Sequence, residues 1–105
     1  MDSPNDADGD ALRRVAERSD MSKPMDIDFA VDVPSKRSGE EVQRLAAQRG
    51  FRPTLHFDET YQRWTCYCAK RMVPTYEAVI AAQKELDELS AAFGGCSDGW
   101  GTLGN

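Results

Sequence analysis

Between residues 25 and 33 the side chains alternate without a break. Met25, Ile27, Phe29, Val31 and Val33 are apolar, and Asp26, Asp28, Ala30 and Asp32 stand between them. A period of two sends successive side chains to opposite faces of an extended chain. The segment therefore reads as a strand with one buried and one wet face, closed by Pro34. Whatever fold the chain adopts must cover one side of this strand and leave the other to solvent.

The remaining periodicity completes a pattern around it. Ser38-Gly39-Glu40-Glu41 has capping-box spacing, which makes Ser38 the expected N-cap with Glu41 reaching back. Val42, Leu45 and Ala46 follow at helical spacing, and Gly50 stops that helix. Phe51, Leu55 and Phe57 share one parity of a second strand, and Arg52, Thr54 and His56 the other. A polar connection over 58–62 returns the chain as a third strand over 63–70. Pro74 suits the first turn of a second helix, whose stripe is Val79, Ala82, Leu86, Leu89 and Phe93. Gly94-Gly95 ends it, and residues 96–103 form a fourth, glycine-interrupted strand. The order βαββαβ is that of the ferredoxin-like α+β fold: four antiparallel strands in the order 4-1-3-2, with two helices on one face. The open face is then lined by Asp26, Asp28 and Asp32, by Arg52, Thr54 and His56, and by Thr65 and Tyr67.

With 105 residues, 40% hydrophobic and 30% charged, the chain has room for one small core. Residues 1–21 read as an acidic, largely disordered segment with a short helix possible over 10–18, capped by Asp10, and residues 22–105 as the domain. The first twenty residues hold Asp2, Asp6, Asp8, Asp10, Glu17 and Asp20 against Arg13, Arg14 and Arg18. Few of them are apolar, so deleting them is expected to leave the thermal midpoint almost unchanged. The net charge of -5 argues against a phosphate-neutralising nucleic-acid binder. No apolar stretch reaches the length of a membrane span. Three cysteines, an odd number, argue for a reduced, cytoplasmic setting rather than a disulfide framework.

Chemistry-bearing residues are few. Cys66, Cys68, Cys96 and His56 invite a zinc reading, but His56 has the outward parity of its strand while Cys66 and Cys68 share the parity of Trp64. Ordinary buried thiols and no metal site are the expectation. One histidine, no nucleophile with a base and no glycine-rich phosphate loop give no catalytic residue and no cofactor. Asp26, Asp28 and Asp32 read as a solvated or docking row. Asp98 and Trp100 share a parity on the last strand, beside that row. Together the five residues would make an acidic, aromatic partner-binding patch suited to an arginine-rich peptide. Trp64 reads as a core residue.

Residues 89–102, LSAAFGGCSDGWGT, resemble the end of the domain in the family of regulator of ribonuclease activity B, the ribonuclease E inhibitor family. The resemblance rests on Asp98-Gly99-Trp100 followed by Gly101, on the Gly50-Phe51 start of the second strand, and on a third strand that carries Trp64 and runs through Met72-Val73-Pro74 into a long helix. It covers residues 24–102. It implies a non-enzymatic regulator that binds ribonuclease E through its non-catalytic scaffold region and lowers its activity. One departure is the N-terminal region, which is longer and more acidic in the best-known inhibitors. The expected partner is thus a protein, with no direct nucleic-acid or membrane binding and a monomer or weak homo-oligomer. Two rivals share the strand order: an amino-acid-sensing module, and a single-stranded RNA binder using the open face.

Overall fold

The computed structural model describes residues 6–105. Its elements are α1 (Ala7–Ala16), β1 (Met25–Val33), α2 (Lys36–Gln48), β2 (Arg52–Asp58), β3 (Arg63–Met72), α3 (Tyr76–Ser90), a short 3-10 turn (Ala91–Phe93) and β4 (Cys96–Thr102). The sheet has the order β2-β3-β1-β4, with every neighbouring pair antiparallel. This is the ferredoxin-like α+β arrangement expected from the pattern, with one helix added in front.

β1 behaves as its alternation requires. Met25, Ile27, Phe29 and Val31 are fully buried and Val33 nearly so, while Asp26 and Asp28 are exposed. Burial of each such side chain stabilises by about 1.5–3 kcal/mol, and with five of them β1 is the spine of the core. α2 covers the inner side with Val42 and Ala46, α3 with Val79, Leu86 and Leu89. Cys66 and Cys68 fill the same core from β3, and the Phe51 ring meets Phe29 edge-on at 6.2 Å. α2 comes close to the sheet at Gly39, where a Cβ would stand 2.5 Å from Leu55 and 3.2 Å from Val33. Trp64 is half-buried, its ring 4.9 Å from that of Phe57.

Helix boundaries differ from the sequence reading. α2 is capped by Ser35, whose Oγ accepts from the Ser38 N–H at 3.1 Å. Ser38 therefore lies inside the first turn, and Glu41 pairs with Arg44 instead of reaching back. Two serines three apart compete for the cap, and the earlier one takes it. Pro74 precedes α3 rather than entering it, because Thr75 supplies the cap through a bond from the Ala78 N–H at 3.1 Å.

α1 differs more. It starts at Ala7 with Asp6 as cap, accepting from Gly9 N–H at 2.7 Å, and Asp10 falls within its first turn. Leu12 is fully buried in the common core, with Val15 and Met21 packed against it. Residues 6–20 are thus bound to the domain, and the disorder expected for residues 1–5 lies outside the described residues. The reason is tertiary. A ten-residue helix is marginal alone, but here Tyr76 of α3 donates to Asp6 at 2.6 Å, and Gln83 of α3 donates to Asp8 at 3.2 Å. At the other end of the chain Asn105 bonds to the backbone at Asp20 and Lys23, which ties the C-terminus to the α1–β1 connection.

Candidate partner-docking face

The helices leave one sheet face open, and register determines what meets there. On β1 it presents Asp26, Asp28, Ala30 and Asp32. Their partners on β3 are Arg71, Ala69, Tyr67 and Thr65. β2 continues the rows with Arg52 opposite Ala69, Thr54 opposite Tyr67 and His56 opposite Thr65. Directly opposed residues point to the same face, so the expected lining is present.

The carboxylates are not equivalent. Asp26 accepts from Arg52 at 2.9 Å and has Arg71 at 3.9 Å. Asp32 is paired with Arg63 and accepts from the Thr65 hydroxyl at 3.3 Å. Asp28 has no ion pair or hydrogen-bond partner among the described residues, and neither does Asp98 on β4. These two border one shallow hollow of about 460 Å³ with Ala30, Thr65 and Tyr67. Tyr67 is 41% exposed, and the His56 ring lies 6.4 Å from its own.

Trp100 also borders this hollow, but its ring is not on the open face. In β4, Ser97 is opposite Val31 and Trp100 opposite Phe29, so two residues, Asp98 and Gly99, face the single Ala30. This β-bulge uses Gly99 at φ +87°, a conformation that costs other residues more. The extra residue reverses the parity, which turns Trp100 to the core side shared by Phe29. There its indole N–H donates to Asp8 of α1 at 2.8 Å, on the oxygen that also accepts from Gln83. Asp98 stays exposed at the open face. The expected pairing of Asp98 with Trp100 on one surface is thus corrected by one inserted residue.

The thiols lie apart from this face. Cys66 and Cys68 are fully buried with sulfurs 3.7 Å apart, and His56 is on the opposite side of the sheet. The hydrogen bond from Cys68 holds the Cys66 thiol below its ordinary range, against the effect of burial. The same bond, then burial, pushes Cys68 far up. Cys96 is exposed. Among the described residues no three His, Cys, Asp or Glu side chains are grouped to hold a metal ion. Nor is any described helix long and apolar enough to cross a membrane.

Fold and face together define a small ferredoxin-like domain with an open, mixed-charge sheet surface. The family model described as regulator of ribonuclease activity B matches residues 5–102, nearly the whole chain. The chain belongs to that family, one of regulators rather than of enzymes. The match begins ahead of α1, so the family pattern includes the added helix. No match is found among curated proteins, and none among solved structures.

Proposed function

We propose that this chain is a non-enzymatic regulator that binds an endoribonuclease of the ribonuclease E type. It occupies a basic stretch of the enzyme's non-catalytic scaffold and so lowers cleavage of transcripts. The family supports the regulatory role. The observation that carries the docking mode is the pair Asp28 and Asp98, two carboxylates without counter-ions beside an exposed tyrosine. Asp26 and Asp32 contribute less, since arginines of the same sheet already neutralise them. Trp100 acts indirectly, by holding β4 against α1. The site of action is the cytoplasm, in keeping with three free cysteines, and the working form is a monomer or weak homo-oligomer.

The RNA-binding alternative is disfavoured by the same geometry. Arg52, Arg63 and Arg71 are the cations of the face, and each has a carboxylate beside it. A phosphate backbone would have to displace those partners and meet Asp28 as well.

The test is a binding titration of the full chain against the basic scaffold segment and against single-stranded RNA. Replacing Asp28 and Asp98 together by Asn is expected to weaken scaffold binding, mainly through slower association, and to reduce its salt dependence. Tight RNA binding by the parent, or an unaltered scaffold affinity in the double variant, would refute the reading.

A further inference from the structure

β4 is an edge strand. It pairs with β1 on one side, and no described strand pairs with the other. The opposite edge, β2, contains Pro53, which cannot donate a backbone hydrogen bond and blunts that edge against further pairing. The C-terminal part of β4, residues 100–102, lies beyond the bulge and contains no proline.

Two hollows flank this part of β4, one on each side of the sheet, and both are bordered by residues 100–103. The first is the open-face hollow with Asp28 and Asp98. The second, about 530 Å³, lies between α1 with its following turn and the end of β4, and is lined by Ala11, Val15, Arg14, Glu17 and Arg18. Arg14 lies in α1 and Arg18 in the turn that follows it, and neither side chain has an ion-pair partner among the described residues. Leu103, wholly exposed, follows the last residue of the strand and borders both hollows. On the α1 side the unpaired charges among the described residues are Arg14, Arg18 and Glu17, net positive, against the two carboxylates on the open side.

We infer that an extended segment of the partner adds to β4 as a fifth strand. Its basic side chains lie over Asp28 and Asp98, and the alternate ones, acidic or aliphatic, enter the α1 groove beside Arg14, Arg18 and Val15. Side chains of an added strand alternate between the two faces of a sheet, which is the arrangement these hollows require. Main-chain hydrogen bonds to the strand edge supply affinity, and the two hollows supply selection. The bulge limits the register to a short run. The inference rests on the proposed function only in taking the occupant to be a protein segment.

The probe is a short synthetic peptide with arginine at alternate positions and valine and glutamate between them, added to the full chain. Binding is followed by calorimetry, and amide hydrogen exchange is read by NMR. Slower exchange is expected of those amides in 100–103 that point away from β1. Affinity should fall about fivefold, the scale of two surface ion pairs, in Asp28→Asn/Asp98→Asn, and again in Arg14→Gln/Arg18→Gln. A peptide methylated on the amides of one edge should lose binding. Absence of binding, equal binding by the methylated peptide, or protection away from β4 would overturn the inference. The scaffold segment separates this from the functional reading. If it binds with protection elsewhere, the edge site fails and the regulatory reading stands. If only the synthetic peptide binds, at β4, the edge site stands and the ribonuclease reading fails.

Discussion

Replacing Leu12 by Ala tests whether α1 belongs to the domain. Leu12 is the one large α1 side chain fully enclosed in the common core. Truncating a buried leucine removes its transfer free energy and leaves a cavity, about 2–5 kcal/mol in all. A domain of this size has a total stability of about 5–15 kcal/mol, so the variant should fold but melt early. At about 4–8 °C per kcal/mol, even the low end lowers the midpoint by about 8–16 °C. Leu103→Ala is the control: that side chain is wholly exposed, and its loss should stay within about 0.5 kcal/mol. Thermal unfolding by circular dichroism compares the two. If Leu12→Ala melts with Leu103→Ala, the helix does not pack on the domain and the expectation of a dispensable N-terminal segment is restored.

Three further outcomes follow from individual contacts. The Tyr76 bond holds Asp6 below the ordinary carboxylate range and Tyr76 above the ordinary phenol range. Its stabilisation should be lost as pH falls through the folded Asp6 value, and lost as pH rises through the folded Tyr76 value, with both limbs shallower in Tyr76→Phe when denaturant midpoints are plotted against pH. In native protein only Cys96 should react quickly with a thiol reagent, Cys66 and Cys68 appearing after denaturation; three fast thiols would contradict the buried pair. Gly99→Ala forces a left-handed conformation on a residue with a Cβ, so a loss of about 1–2 kcal/mol and a shifted Trp100 emission are expected, and an unchanged spectrum and midpoint would argue against the bulge.

The parts of this architecture that were legible in the sequence are those in which local pattern and tertiary demand agree. The alternation of 25–33 is uninterrupted because β1 is central and half-covered, so the strand, its wet face and the positions of Asp26, Asp28 and Asp32 could be counted off directly. The parity of β2 and β3 likewise separates His56 from Cys66 and Cys68. Counting fails where one residue is inserted. Asp98 and Trp100 are two apart in sequence but lie on opposite faces, and the available signal was Gly99, since a glycine inside a strand often marks a bulge. A short helix over 10–18 was legible, but the start of α1 and its attachment to the domain were not, for a different reason. Its attachment depends on Asp8 meeting Trp100 and on Asp6 meeting Tyr76, contacts between residues far apart in the chain. The counter-ions of Asp26 and Asp32 were closer to hand, because Arg52, Arg63 and Arg71 all have the wet parity of their strands. Only the register was needed to bring Arg71 opposite Asp26 and Arg63 next to the Thr65 that faces Asp32.

The central claim, regulation by occupying a scaffold rather than by chemistry of its own, is tested most directly by RNA cleavage. A ribonuclease E-type enzyme would be assayed with and without its non-catalytic scaffold region in the presence of rising amounts of this chain. Slower cleavage by the complete enzyme, a weaker effect with Asp28→Asn/Asp98→Asn, and no effect on the catalytic part alone are expected. Equal inhibition of both enzyme forms, or cleavage of RNA by this chain by itself, would contradict that mode of regulation.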